Sequence, residues 1–161
     1  MRQVNKNASV ERILFLSHAL DLSGAAMHIR LLGEGLQALG CKVGITAREL
    51  HGRYDEEWFE KAGFSVFYTP FPQTEISGRS VVNLLKTVPA FKRTCDYFDP
   101  DVIHTHAGTL SPFARLEASR RRIPMVSTFN IEDINTVKKI VGKAANYVLD
   151  APLGDATIAI S

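Results

Sequence analysis

The sequence predicts an α/β domain of the doubly wound class, with a parallel sheet of about six strands and helices on both faces. Short apolar runs alternate along the chain with segments of helical periodicity, and the spacers between runs are long enough for right-handed crossovers. The composition agrees, since 45% hydrophobic and 22% charged residues are typical of a globular chain. A length of 161 residues suffices for one such domain.

The first part of the chain has the order strand, helix, strand, helix, strand. RILFLS (12–17) is a short apolar run typical of a strand that is buried on both faces. Residues 24–39 carry apolar side chains at helical spacing, and Gly40 then favours termination of the helix. A second strand is predicted over 42–47, a short helix over 54–63 and a third strand over 64–69.

The second part continues the alternation after a loop at 70–78 that contains two prolines. A helix is predicted over 80–97, in which Pro89 is expected to introduce a kink or to mark the first turn. Three strands are predicted over 101–106, 124–129 and 156–160, with helices over 110–122 and 133–149. We expect residues 1–11 to be a flexible N-terminal tail and residues 12–161 to form a single Rossmann-like domain.

Charge and cysteine content exclude several classes of protein. A net charge of +2 is too weak a bias to indicate nucleic-acid binding. Cys41 and Cys95 lie far apart without a CxxC pattern, so they are predicted to be reduced thiols, and no metal or other cofactor is expected. The first residues lack the apolar core of a signal peptide, and no segment approaches the ~20 apolar residues that span a bilayer, so a cytoplasmic location is predicted.

The candidate ligand site lies at the carboxyl ends of the predicted strands. In such sheets ligands bind where the strand order reverses, which places the loop at Ser23 and Gly24, the residue His106 and the residue Asn130 at one rim. Gly24 lets a ligand approach the backbone, and the N-terminus of the following helix favours an anion such as phosphate by ~0.3–1 kcal/mol. The alternative is that Ser23 and Gly24 only begin a helix.

Four histidines are candidates at or near this rim. His104 and His106 point to the same face of a strand, an arrangement that binds a metal only if a third ligand arrives from elsewhere. No third ligand is evident, so His106 is predicted to contact a hydroxyl group rather than a metal. His18, at the tip of the first strand, is a further binding candidate, whereas His28 is predicted to pack on the inner side of its helix.

Basic residues form two groups. Arg120, Arg121 and Arg122 end a predicted helix, where cations complement the helix dipole. Lys138, Lys139 and Lys143 lie beside apolar residues on another predicted helix, a pattern that favours peripheral contact with an anionic membrane surface.

Three stretches, taken in order, resemble one family. ERILFLSHALDLSGAAMHIRLLGEGLQALGCKVGITA is similar to the opening of retaining glycosyltransferases of the two-domain B-type fold (GT-B, group 1 or family 4 type). FDPDVIHTHAGTLSPFARLEASRRRIPMVSTFN resembles that family's strand, HxH, helix and IPxVxTxH passage, and GDATIAIS resembles the segment that closes its N-terminal domain. The resemblance covers the chain from Glu11 to Ser161.

The resemblance implies an acceptor-side domain of an enzyme. In the family, this domain holds the glycan, lipid or small-molecule acceptor, and a second domain holds the nucleotide-sugar that donates a hexosyl or similar group. The resemblance therefore implies a donor-binding partner domain in the same or a separate chain, without which this domain is expected to be inactive or nearly so. It implies no metal.

Residues carried over from the family are few. Its Gly-Gly-Ala-Glu loop, which faces the donor, corresponds to Ser23, Gly24, Ala25 and Ala26, so the first glycine and the glutamate are absent. The histidine of its TxH motif corresponds to Asn130, which hydrogen-bonds hydroxyls but cannot act as a general base. The predicted site thus comprises Asn130 and His106 as catalytic candidates and Ser23, Gly24, Ala25 and His18 as binding candidates. The departures leave open a second interpretation, a noncatalytic α/β binding or partner-subunit domain that retains the fold.

Overall fold

The structure is a computed structural model that describes residues 10–21, 23–50, 53–71, 79–106, 110–130 and 156–160. The strands are β1 (Arg12–Leu20), β2 (Lys42–Leu50), β3 (Ser65–Tyr68), β4 (Val102–Thr105), β5 (Met125–Asn130) and β6 (Ala156–Ile160). The helices within the described residues are α1 (Gly24–Ala38), α2 (Arg53–Lys61), α3 (Arg79–Phe98) and α4 (Ser111–Arg121). None of these helices is long and apolar enough to cross a membrane.

The described strands form one parallel sheet in the order β3-β2-β1-β4-β5-β6. The chain therefore winds outward from β1 to β3, returns to the centre of the sheet at β4 and winds outward in the opposite direction. This order confirms the predicted doubly wound, Rossmann-like α/β fold with about six strands.

Two apolar clusters lie on opposite faces of the sheet. Leu14 and Leu16 of β1 belong to the cluster that contains Phe91 of α3 and Phe113 of α4. Ile13 and Phe15 belong to the other cluster, which contains residues of α1 and α2. Successive residues of a strand point to opposite faces, so β1 needs a continuous apolar run, as in RILFLS.

Some element boundaries differ from those predicted. β1 and β2 each continue beyond the predicted ends, because their pairing extends to Leu20 opposite Leu50. His18 consequently lies inside β1, and its predicted position at the tip of the strand is wrong. Pro89 lies in the interior of α3, so it does not mark the first turn. The helix predicted over 133–149 lies outside the described residues.

Helix α1 is fixed at both ends and along its inner face. The Ser23 hydroxyl accepts a hydrogen bond from the N–H of Ala26 at 3.4 Å, which caps the N-terminus. Gly40 adopts a φ of +90° just after the helix, a conformation that side chains disfavour. Gly33 faces the ring of buried Phe64 so closely that a Cβ at position 33 would overlap its Cζ atom.

The opposite, amino edge of the sheet is held by a carboxylate. Asp101, just before β4, accepts hydrogen bonds from the N–H groups of Glu11 and Arg12 at 3.0 and 2.9 Å. These two bonds align the start of β1 with the start of β4. The register then continues through four paired positions to Leu16 opposite Thr105.

Helix α4 is joined to α3 by charged side chains. Arg121 binds both the buried carboxylate of Glu117, at 2.8 Å, and Asp96 of α3. Arg120 also pairs with these two carboxylates. The pKa of Glu117 is lowered: burial opposes this shift, but hydrogen bonds from Arg120 and Arg121 outweigh it. The arginines at the end of α4 therefore hold a specific interhelical position, in addition to the dipole effect expected from sequence.

Replacement of Gly33 by alanine tests the contact between α1 and the Phe64 ring. We expect Gly33→Ala to be less stable than Gly35→Ala by ~1–3 kcal/mol, since the new methyl group displaces a buried aromatic ring. Gly35 is the matched control, because a Cβ there meets nothing within 4 Å and both substitutions bring the same gain of ~1 kcal/mol in helix propensity. Urea unfolding of both variants measures the difference, and equal midpoints would contradict the proposed steric contact.

Candidate functional site at the carboxyl edge of the sheet

The order of the strands reverses between β1 and β4, which are neighbours in the sheet although α1 follows one and α4 follows the other. Their connections leave the carboxyl edge in opposite directions and open a crevice between them, the usual ligand position in doubly wound sheets. The N-terminus of α1 lies on one side of this reversal and His106 on the other.

The N-terminus of α1 offers backbone donors with open space around them. Asp21 Oδ1 accepts a hydrogen bond from the N–H of Ser23 at 3.1 Å, and the Ser23 side chain caps Ala26. Within the described part of the chain, no hydrogen bond uses the N–H groups of Gly24 and Ala25. A Cβ at Gly24 would meet nothing within 4 Å, so its backbone is accessible. These two amides can bind an anion.

His106 follows β4 directly, and the residue is 7% exposed. Its N–H donates to the carbonyl oxygen of Leu16 at 3.0 Å, which continues the pairing of β4 with β1. The imidazole ring contacts Phe15 and His104, with centroids 5.8 and 4.5 Å away. Its Nε2 atom is buried and has no hydrogen-bond partner. A polar atom in this state is available to a ligand that reaches it.

His104 supports His106 from within the strand. The two rings lie on the same face of the sheet as Phe15, as the HxH spacing predicts. His104 Nε2 shares a hydrogen bond of 2.8 Å with Thr128 Oγ1 of β5. Among the described residues, no group of three His, Cys, Asp or Glu side chains could hold a metal ion.

Burial keeps both imidazoles neutral. It lowers the pKa of His106 to about 3, with further lowering by His104 and His28. Burial likewise lowers the pKa of His104 to about 4, with a smaller effect from His28. A neutral imidazole offers one donor and one acceptor, so at neutral pH the site presents hydrogen-bonding groups rather than positive charge.

The structure brings together only part of the predicted site. Ser23, Gly24 and Ala25 lie at the start of α1, and His106 lies across the reversal from them. Asn130 is the last residue of β5, one strand beyond β4, and its backbone pairs with Ile160. His18 lies within β1, half-buried and in contact with neighbouring groups. Lys138, Lys139 and Lys143 lie outside the described residues, so membrane contact stays a prediction.

His28, like His18, lies in a different environment from the one predicted. It is exposed rather than packed inside, and its ring centroid lies 5.1 Å from that of His106. The contact depends on how α1 lies across the sheet, which the sequence pattern of the helix does not specify. One feature of the sequence does indicate that His28 lies near the site: it follows Gly24 by four residues, which places it close to the N-terminal turn of α1.

Comparison with known proteins places the chain in a family. Residues 23–153 match the family described as "Glycosyl transferase 4-like domain". This match covers most of the chain, so the protein belongs to that glycosyltransferase family. No curated protein matches the sequence.

Solved structures share the fold at low identity. Similar chains are MurG from Acinetobacter baumannii (14% identity, TM-score 0.63) and Anabaena HepE in complex with UDP and glucose (13%, 0.65). A third is sucrose-phosphate synthase from Thermosynechococcus elongatus (16%, 0.62). The matches cover 92%, 92% and 94% of this chain but only 41%, 38% and 42% of those chains, in the same order. The fold is thus that of a GT-B N-terminal domain, which confirms the resemblance read from the sequence.

The lowered pKa values predict a pH dependence of stability. Both histidines take up protons in the unfolded chain below its ordinary pKa of about 6.5, whereas the folded protein resists protonation down to about 4 at His104 and 3 at His106. The contribution of the two neutral histidines to the free energy of unfolding is complete above pH 6.5, and it is lost as the pH falls below that value. Each histidine should cost up to about 1.4 kcal/mol per pH unit once the unfolded chain is protonated.

Urea unfolding between pH 7.5 and 4.5 checks this expectation. His106→Gln removes one titrating imidazole, so the decline in its unfolding free energy should be shallower than that of the wild type below pH 6. Carboxylates contribute equally to both proteins and cancel in the difference. Parallel curves for the two proteins would show that His106 is protonated as readily in the folded state as in the unfolded state.

Proposed function

We propose that this domain is the acceptor-side half of a glycosyltransferase, which moves a hexosyl or similar group from a nucleotide-sugar to a glycan, lipid or small-molecule acceptor. One observation carries the proposal. The open N-terminus of α1 and the buried, unpartnered Nε2 of His106 follow the two strands at which the strand order reverses. The N–H groups at the α1 N-terminus suit a phosphate, and Nε2 of His106 suits a sugar hydroxyl.

The α1 N-terminus is the proposed contact with the donor. The N–H groups of Gly24 and Ala25 lie in the first turn of α1, where the helix dipole favours negative charge. Asp21 already accepts from the amide of Ser23, so among the described residues of this turn the next two amides are the ones offered to a phosphate oxygen. HepE, which shares the fold, forms complexes with UDP and glucose and with UDP-glucose, and this supports a nucleotide-sugar as the donor.

His106 is the proposed contact with a sugar hydroxyl. Its imidazole is held neutral by burial, so it hydrogen-bonds without adding positive charge. Asn130, at the end of β5, provides an amide at the position of the family histidine. Neither group supplies a general base of ordinary strength, so we propose that these residues orient the sugars and that the leaving phosphate assists proton removal.

A donor-binding domain completes the proposed enzyme. The chain spans about two fifths of the length of the solved glycosyltransferases that it matches. We propose that the remaining part is supplied by the same polypeptide or by a separate chain, and that this domain alone has little or no activity. The mass of the product made from the natural gene distinguishes the two arrangements, since a single polypeptide of the length of those proteins would be more than twice 17.8 kDa.

A noncatalytic partner domain is the second candidate function. Ala26 and Asn130 favour it, because they stand where the family has a glutamate and a histidine. Such a domain would retain the fold and a binding crevice but would not turn over a donor.

Substitution of Gly24 tests the donor contact. In the protein made from the natural gene, Gly24→Ala should not lower stability, because the new Cβ meets nothing within 4 Å. It should raise the donor KM roughly 10- to 100-fold, because the methyl group enters the space that the phosphate needs. UDP-glucose is the first donor to assay. Gly35→Ala on the same helix is the matched control, and equal KM values for the two variants would contradict a backbone contact at Gly24.

Restoration of histidine at position 130 separates the two candidate functions. If the protein is a transferase adapted to asparagine, Asn130→His should change kcat by less than about tenfold. If the wild type shows no turnover and the variant gains about 100-fold or more over background, the natural protein is the noncatalytic partner. Donor turnover in the complete protein is the measurement in both cases.

A further inference from the structure

His106 is surrounded by three described rings that differ in exposure. Phe15 is completely buried and His104 is 5% exposed, and both pack against the His106 ring from the sheet. The third ring belongs to His28, which lies on α1 and is exposed to solvent. Of these three, His28 is therefore the ring that separates His106 from water.

The His106 ring that His28 contacts carries a buried polar atom without a partner. Nε2 of His106 is buried and makes no hydrogen bond, although the neighbouring His104 satisfies its own Nε2 with Thr128. Native proteins pair nearly all buried polar atoms, and exceptions mark ligand, water or catalytic positions. The contrast between the two histidines of the HxH sequence shows that the unsatisfied nitrogen is particular to His106.

We propose that His28 is a positioning residue of the site, whose ring covers Nε2 of His106 and moves aside to admit a sugar hydroxyl. This inference rests on the proposed glycosyltransferase function and adds a residue to its site. The ligand class follows from the chemistry of Nε2, because a hydroxyl both donates and accepts and so satisfies this nitrogen in either tautomer.

The position of His28 on α1 suits this role. Its side chain is exposed, so a change of rotamer does not disturb the sheet. The next exposed residue on that face of the helix, Leu31, is 62% exposed. Leu31 therefore provides an exposed control position on the same helix.

The test measures the accessibility of His106 directly. Diethyl pyrocarbonate modifies unprotonated imidazoles, and peptide mass spectrometry assigns the rate to each histidine of the protein made from the natural gene. His28→Ala should raise the rate at His106 by about tenfold or more, because the cover is removed. His28→Phe, which restores a ring of similar shape, and Leu31→Ala should both leave the rate at the wild-type value.

Two results would overturn the proposal. An unchanged rate in His28→Ala would show that another group shields His106. An equal rise in Leu31→Ala or in His28→Phe would show that the substitutions loosen α1 or that ring shape is irrelevant. Neither result depends on turnover, so a failed transfer assay would refute the proposed function without affecting this measurement.

A second measurement tests whether a bound ligand reaches the nitrogen that the His28 ring covers. UDP-glucose should protect His106 of His28→Ala from modification, since the sugar takes the position that the ring occupied. Modification of His106 at the same rate with and without bound nucleotide-sugar would show that no ligand hydroxyl reaches this nitrogen. Binding itself is followed by calorimetry, which separates absence of binding from binding without protection.

Discussion

The pairing of β1 with β4 is the constraint on which the rest of the structure depends. β1 is hydrogen-bonded on both sides and packed on both faces, so each of its residues from Ile13 to Leu16 has a fixed surrounding. The direction in which successive strands are added to the sheet reverses at this pair. Because the two connections diverge there, the crevice that can hold a ligand is a consequence of strand order rather than of any particular loop sequence.

Phe15 links this constraint to the chemistry of the site. It lies opposite His104 in the parallel pair and contacts both histidines of the HxH sequence. A large apolar ring at this position excludes water from the imidazoles, and that exclusion is the main reason for their low pKa values. The same strand that organises the sheet thus determines the protonation state of the crevice.

Much of the fold could be predicted from the sequence, because apolar runs and helical spacing report directly on burial. Every described strand and helix lies where the pattern of the sequence put it, and the shared face of His104 and His106 follows from strand geometry alone. The extra length of β1 was missed because HAL is not an apolar run, and only its pairing with β2 reveals the extension. Pro89 was difficult for a different reason, since the spacing of the flanking residues does not say whether a proline begins a helix or lies inside it.

The site was less predictable than the fold, because it depends on distances between elements. Gly24 and His106 follow from the general rule for strand ends, whereas the contact of His28 with His106 depends on the rotation of α1 above the sheet. That rotation is determined by tertiary packing, which no local pattern encodes. The missing glutamate and histidine of the family motifs are visible in the sequence, but their chemical consequence is not.

The absence of a side chain at Gly33 has an effect beyond stability. Gly33 and His28 both lie on α1, roughly one and a half turns apart. The distance at which the helix packs against Phe64 therefore also determines the distance between the His28 and His106 rings. Positions 33 and 64 therefore behave as a single steric unit. A bulkier residue at one is compatible with the same imidazole spacing only when the other becomes smaller, which makes the crevice sensitive to paired substitutions at a distance from it.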